Sequence, residues 1–169
     1  MNTFSDMVMR THPGLQPSKM YQVYDSDDIS QFFARFVHIH SKILKDYKLQ
    51  LMKDLQEDGV PPTRSLLLEF PEDQVARGIV DQFMLGSQIL MAPILEEGQT
   101  RRDVYLPSGM WRSFFSREIL GGQNGGVWLK DQEAPIGTPL VFVRLDHHSS
   151  SESPIDWAKL DAILQNQMN

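Results

Sequence analysis

The sequence contains no cysteine among its 169 residues, and this absence narrows the chemistry open to the chain. Without thiols there is no disulfide, no thiolate nucleophile and no cysteine-based zinc or iron–sulfur site. Any reaction must therefore use carboxylates, histidine, arginine or hydroxyl groups. The absence of cysteine does not determine the cellular compartment.

Long apolar runs and basic clusters are also missing. The longest apolar stretches, such as Ile89 to Leu95, fall far short of the about 20 residues that cross a bilayer. The first residues do not have the basic and apolar regions of a signal peptide. Sixteen Lys and Arg stand against 22 Asp and Glu, a net charge of −6, and no stretch combines basic side chains with aromatics. We therefore expect neither membrane anchoring nor a nucleic-acid partner.

The length itself excludes one complete fold. A chain of 169 residues that is 41% hydrophobic and 22% charged is typical of one globular domain or two very small ones. It falls below the ~250 residues of a complete (β/α)8 barrel.

A long helical pattern occupies the first half of the chain. Apolar residues recur at intervals of three and four from Ile29 to Leu55, which predicts one long helix or two abutting helices over about residues 28–57. Ser26 or Asp27 can cap its start, while Gly59 and then Pro61-Pro62 favour its end.

The run from Thr63 to Phe70 is short and nearly continuously apolar. Such a run is typical of a strand covered on both faces, as in a parallel sheet. A helix followed by this strand would form a β/α unit.

The pattern of apolar and turn residues changes near residues 86 to 96. Beyond this boundary, strand-sized apolar runs alternate with Gly- and Pro-rich turns, which predicts an antiparallel β module. The runs cover residues 89–92, 104–106, 110–115, 127–129 and 140–144. A Ser-rich linker over 149–153 then precedes an amphipathic helix that begins at about Pro154.

The sequence contains five histidines, whose side chains could bind a substrate or a metal ion. His12, within Arg10-Thr11-His12-Pro13-Gly14, occupies the kind of loop that meets ligands in parallel barrels, although these five residues alone favour an ordinary loop histidine. His38 and His40 face different sides of a helix, which does not favour a metal site, and His40 is expected in the apolar core. His147 and His148 are expected to be solvated.

The carboxylates give no clear catalytic pair. Glu69 ends the predicted strand and could be a barrel-mouth carboxylate, whereas helix capping explains Glu72 and Asp73 more simply. Glycoside hydrolysis needs two carboxyl groups held about 5 to 10 Å apart. No spacing in this sequence forces such a pair.

The remaining charged and aromatic candidates have ordinary structural explanations. Arg101, Arg102 and Arg144 are expected to be solvated or paired with carboxylates. Trp111 and Trp128 stand at strand spacing and are expected in the core rather than on a sugar-stacking surface.

A set of short motifs occurs in a fixed order, and the order is more specific than any one motif. The motifs are Phe4-Ser5-Asp6, Arg10 to Gly14, Gly59-Val60-Pro61, Phe70-Pro71-Glu72-Asp73, Ile89 to Ile94, Val104 to Trp111, Gly121-Gly122, Ala134-Pro135 and Pro139 to Arg144. This order resembles the carboxyl-terminal part of a family 31 glycoside hydrolase, the α-glucosidase family, from Phe4 to about Leu145. The Arg-Thr-His-Pro-Gly variant and the Trp-containing helix at 155–164 resemble the sulfoquinovosidase-like branch.

The resemblance implies a fold of α/β plus all-β class. Residues 1–86 would be the last β/α units of a (β/α)8 catalytic barrel, with 63–70 as its eighth strand. Residues 87–148 would form the proximal antiparallel β-sandwich, and 149–169 a linker and an amphipathic helix.

The resemblance also implies a retaining α-glycosidase acting on an α-glucoside or an α-sulfoquinovoside. The family's nucleophilic and acid/base aspartates would lie upstream, so this chain would contain no catalytic residue and be inactive alone. His12 matches the family histidine that hydrogen-bonds a sugar hydroxyl, and Arg10 would support the pocket. Carboxylate chemistry implies no metal or organic cofactor.

Some segments depart from the family pattern, and a different class of function stays open. Ser87-Gln88, Pro62 to Ser65 and Phe115 to Glu118 stand where other residues are commoner in the family. The alternative is a non-enzymatic β module that binds a carbohydrate or a protein partner.

Overall fold

The computed structural model describes residues 2–6, 22–122, 125–145 and 153–165. The chain divides into two compact units. The first comprises Met1–Gln50 and Pro154–Asn169, and the second comprises Leu51–Ser153.

The first unit is helical. A 3-10 turn, Asn2–Phe4, precedes helix α1 (Asp27–His38), a π turn (Ile39–Ile43) and helix α2 (Lys45–Asp58), which continues into the second unit. Ser26 caps α1 by accepting a hydrogen bond from the backbone N of Ile29 at 3.3 Å. Near the end of the chain, helix α4 (Trp157–Gln165) packs against α1 and the π turn.

The predicted helical segment is confirmed as two abutting helices, but the predicted burial of His40 is wrong. The π turn inserts an extra residue into the helical repeat. Ile39 and Ile43 therefore take the buried positions, and His40 is exposed. Helix α2 ends as predicted at Gly59, whose φ of +72° suits a residue without a Cβ.

The second unit is built on antiparallel strands. Six of them form one sheet in the order β1-β2-β3-β8-β5-β6, and β4 pairs with β7 in a separate two-stranded ribbon. The short helix α3 (Leu66–Glu69) and a 3-10 turn (Ala76–Gly78) lie between β1 and β2. The strands are β1 (Thr63–Ser65), β2 (Phe83–Leu85), β3 (Ile89–Ala92), β4 (Arg101–Leu106), β5 (Gly109–Ser113), β6 (Ile119–Gly122), β7 (Val127–Glu133) and β8 (Leu140–Arg144).

The middle of the large sheet is its most apolar part. All four residues of β3 are buried, and β3 lies between β2 and β8, with Ile89 opposite Val143. Trp111 on β5 is fully buried, and its indole Nε1 donates to the carbonyl of Pro107 at 2.9 Å. The five predicted strand runs are thus confirmed, whereas β2 and β6 escaped prediction.

The predicted strand over residues 63–70 is wrong in both extent and direction. Strand β1 ends at Ser65, pairs antiparallel with β2, and is followed by a helical turn. Because β2 has only three residues, the chain beyond Ser65 has no strand to pair with. It satisfies its backbone locally instead, as when the N of Phe70 donates to the carbonyl of Leu66 at 2.8 Å. The described strands give an antiparallel β architecture consistent with a β-sandwich domain.

The close approach of β5 and β6 generates a stability prediction. Gly121 has a φ of +91°, and an added Cβ would lie 2.4 Å from the carbonyl oxygen of Gly109. We expect Gly121→Ala to lower the free energy of unfolding by about 1–2 kcal/mol through its φ alone, and by more through the steric overlap. Urea-induced unfolding measures the change.

Gly122→Ala is the matched control, because no atom of the described residues, apart from its chain neighbours, lies within 4 Å of the added Cβ, and its φ is not positive. Equal midpoints for the two variants would contradict the prediction.

Candidate functional site

The residues assigned to sugar binding lie outside the described part of the chain. Arg10 and His12 belong to residues 7–21, and His147 and His148 belong to residues 146–152. The roles of Arg10 and His12 therefore stay predictions. The candidate catalytic and ligand-binding groups within the described residues are the carboxylates, arginines and aromatic side chains of the second unit.

Glu69 is neutralised rather than available as a catalytic acid. Its Oε2 lies 2.7 Å from Nη2 of Arg64, and the two side chains are only 15% and 12% exposed. The pair joins strand β1 to the end of α3. A charge this far from solvent is tolerated when it is paired, so the pair has a structural role.

Asp73 binds the backbone at the start of the 3-10 turn, where the N-cap residue is Val75. Its Oδ1 accepts from the backbone N of Val75 at 2.9 Å and of Ala76 at 3.0 Å. Its Oδ2 accepts from the hydroxyl of Tyr105 at 2.8 Å, a contact that the sequence did not indicate. Burial first and Asp73 second raise the pKa of Tyr105 to about 12, which keeps the phenol a neutral donor.

Gln82 completes the fixing of Tyr105. This buried amide donates from Nε2 to the carbonyl of Tyr105 at 2.7 Å and accepts from the Tyr105 backbone N at 2.8 Å. The side chain thus pairs with β4 as a neighbouring strand would. The sequence around Gln82 contains no pattern that distinguishes this buried glutamine from an exposed one.

The paired arginines are confirmed as partners of carboxylates. Arg101 contacts Asp131 at 2.8 Å and also Glu133, its neighbours on β7. Arg102 contacts Oδ2 of Asp81 at 2.6 Å and donates to the carbonyl of Pro93. These residues hold the β4–β7 ribbon and the start of β2 in place.

The two strand tryptophans have different environments. Trp111 is buried, as expected, and Phe70 packs near it with ring centroids 6.3 Å apart. Trp128 is 43% exposed, so its predicted core position is wrong. It stands on the ribbon beside Tyr105 and under the ammonium of Lys130, which lies 5.0 Å from its ring centroid. A two-stranded ribbon leaves part of its surface uncovered.

The described residues offer no cation site and no membrane span. Among them, no group of three or more His, Asp or Glu side chains is arranged to hold a metal ion. Nor does any helix within those ranges combine the length and hydropathy needed to cross a bilayer. The carboxylates of Glu69, Asp73 and Asp81 already have donors, so the arrangement positions the backbone and does not resemble an acid/base pair.

Comparison with known proteins gives a consistent result. The model of the glycosyl hydrolase family 31 C-terminal domain matches residues 59–147. The sulfoquinovosidase of Escherichia coli strain K12 is 32% identical over 158 residues, which are 94% of this chain and 21% of that protein. Alpha-glucosidase 2 of Bacillus thermoamyloliquefaciens is 38% identical over 74 residues, 43% of this chain and 9% of that protein.

A solved structure supports the same relationship. A family 31 sulfoquinovosidase from E. rectale, in complex with an aza-sugar inhibitor, superposes with a TM-score of 0.74 at 26% identity. The superposition covers 94% of this chain and 22% of that one. The chain thus spans about a fifth of the length of the sulfoquinovosidases it matches.

The buried ion pair generates a second stability prediction. Glu69→Gln leaves the Arg64 guanidinium buried without a counter-charge, and we expect a loss of about 3 kcal/mol in the free energy of unfolding. Denaturant titration measures it. Glu72→Gln, at an exposed neighbouring position, is the control and should change stability by less than about 0.5 kcal/mol. Similar losses in both variants would show that the pair is not structural.

The Tyr105–Asp73 contact generates a pH prediction. Because the pKa of Tyr105 is about 12 in the folded chain and about 10 when unfolded, its contribution to stability is present below pH 10 and is lost as the pH rises from 10 to 12. The difference in ultraviolet absorbance between the native chain and Tyr105→Phe, followed against pH, isolates this phenol. An ionisation midpoint near 10 would refute the assignment.

Proposed function

Because the chain belongs to glycoside hydrolase family 31, we propose that it is the carboxyl-terminal part of a retaining α-glycosidase that hydrolyses O-glycosyl bonds. One observation carries the proposal: the family's C-terminal domain model covers residues 59–147, the range that contains all eight described strands. The coverage of about a fifth of each sulfoquinovosidase is what a carboxyl-terminal part would give.

The proposed division of labour follows the family's domain order. Residues 1–86 would contribute the last β/α units of the barrel. Within this range β1 and β2 pair antiparallel with the sheet that contains β3, so residues 63–65 and 83–85 add to the sandwich and the parallel strand expected over 63–70 is not proposed. Residues 87–148 would form the proximal β-sandwich, and residues 149–169 the linker and terminal helix. The antiparallel pairing of β3, β5, β6 and β8 supports the sandwich assignment.

The chemistry of the proposed enzyme needs groups from outside this chain. A retaining mechanism requires a nucleophilic carboxylate and an acid/base carboxyl about 5 Å apart, and we place both upstream. This chain would supply His12, whose ring N–H can donate to a sugar hydroxyl, and Arg10, which would support the pocket. The required partner is then a carbohydrate substrate, and the mechanism needs no cofactor.

The substrate class proposed is an α-glucoside or an α-sulfoquinovoside. The sulfoquinovosidase from E. coli matches 94% of the chain, whereas alpha-glucosidase 2 matches 43%. This difference in coverage favours the sulfoquinovoside.

An activity assay tests the proposal. The purified 169-residue chain should show no turnover of an aryl α-glucoside or an aryl α-sulfoquinovoside above the blank, because both catalytic carboxylates are proposed to lie upstream of it. The complete sulfoquinovosidase of E. coli serves as the active control. Turnover that disappears when the chain is denatured would refute the absence of catalytic groups.

A second candidate is the non-enzymatic β module, and the exposed ring of Trp128 is the observation that favours it. Calorimetric titration of the chain with the free sugars would distinguish the two. Affinity that is lost in Trp128→Ala and retained in His12→Ala would support the module, and the reverse pattern would support the glycosidase pocket.

A further inference from the structure

A cluster of polar groups in the first unit lies outside the proposed catalytic chemistry. It joins residues 2–6 to the π turn and to helix α2. Phe4 is fully buried and Ser5 is almost so, which anchors this short segment. Thr3 adds a long contact at 3.5 Å from its hydroxyl to the carbonyl of Phe36 on α1.

Lys48 is the centre of the cluster. Its Nζ donates to the backbone carbonyl of Ser5 at 2.6 Å and lies 3.1 Å from Nδ1 of His40. An ammonium group has donors only, so Nδ1 of His40 must be the acceptor. The contact therefore requires a neutral imidazole with its proton on Nε2.

The π turn is what makes this contact available. His40 lies within the turn, Ile39 and Ile43 on either side of it are buried, and His40 points out of the apolar interior toward Lys48. Single π turns in helices are frequent at functional sites. Here the π turn moves His40 out of the apolar core to a position where its ring can accept a hydrogen bond.

The surroundings of the cluster disfavour a positive charge on His40 beside the Lys48 ammonium. Burial lowers the pKa of Lys48 to about 8, opposed by the carboxylate of Asp6. Burial first and Lys48 second lower the pKa of His40, opposed by a backbone hydrogen bond with Thr3. The elements packed on the π turn also carry the charged or titratable groups Arg35 and His38 on α1 and Lys159 and Asp161 on α4.

We propose that Lys48 and His40 form a proton-sensitive clasp that positions residues 2–6 and opens on acidification. Protonation of His40 removes one of the two acceptors of Lys48 and places two cations 3.1 Å apart, so that repulsion acts against the remaining bond from Lys48 to the Ser5 carbonyl. Because the folded-state pKa of His40 is lowered, the clasp is closed above pH 6.5 and is lost as the pH falls from 6.5 through the lowered value. Residues 2–6 directly precede the range that contains Arg10 and His12.

Nuclear magnetic resonance of the histidine rings in the full chain tests the charge coupling. We expect the His40 midpoint to lie below 6.5 and to rise by several tenths of a pH unit in Lys48→Met. Lys48→Arg, which keeps the charge and the donors, should restore the low midpoint. Lys42→Met, on the same π turn, is the control and should leave it unchanged.

Hydrogen exchange tests whether the clasp holds the segment. After correction for intrinsic rates, protection of the Phe4 and Ser5 amides should fall about tenfold between pH 7 and the acid side of the His40 midpoint. His40→Gln, whose amide can accept from Lys48 without titrating, should retain protection throughout.

Two results would overturn the clasp: a His40 midpoint that does not respond to Lys48→Met, or protection of residues 4 and 5 that is independent of pH. Circular dichroism verifies that each variant is folded. If Lys48→Met does not fold, Lys48→Arg and His40→Gln still decide the question, because both keep the hydrogen bond. The test does not depend on glycosidase activity, so its failure is separate from that of the proposed function.

Discussion

The pairing of β3 with β8 is the constraint on which the second unit depends. These strands lie about 50 residues apart in the sequence, and their register places Ile89 opposite Val143 and Ala92 opposite Leu140. Because both strands are buried, their backbone groups have no water to bond and must bond to each other. Strand β2 pairs with the free edge of β3, and β5 pairs with the free edge of β8. The β4–β7 ribbon is formed by residues that lie between β3 and β8 in the sequence.

The charged groups around this sheet serve its geometry. Arg64 with Glu69 and Arg102 with Asp81 hold segments that have little regular structure of their own. Buried charges and amides are stable only when each finds its partner, so these contacts fix the segments between strands onto the strands β1 and β4. Several acids and bases of this chain thus have structural partners, and a count of carboxylates does not reveal catalytic ones.

Local signals in the sequence predicted much of the fold. The strands over 89–92 and 140–144 are compact apolar runs between turn residues, and Gly59 with Pro61 marked the end of α2. The predictions for residues 63–70, Trp128 and His40 were wrong because each depends on a remote feature. These features are the length of the partner strand β2, the uncovered face of a two-stranded ribbon, and a π turn that shifts the helical phase. For the candidate site, the order of motifs indicated the family, while Arg10 and His12 rest on the resemblance alone.

The order of amino acids establishes which segments are apolar, where the chain must turn and which reactive groups are missing, since these properties belong to individual residues and their near neighbours. The tertiary structure alone decided that β1 joins an antiparallel sheet, that Glu69 meets Arg64, and that Lys48 meets His40 and Ser5. Such pairings depend on which segments, remote in the sequence, pack against each side chain. Burial then selects the partner, because a polar group removed from water is stable only beside a group that satisfies it.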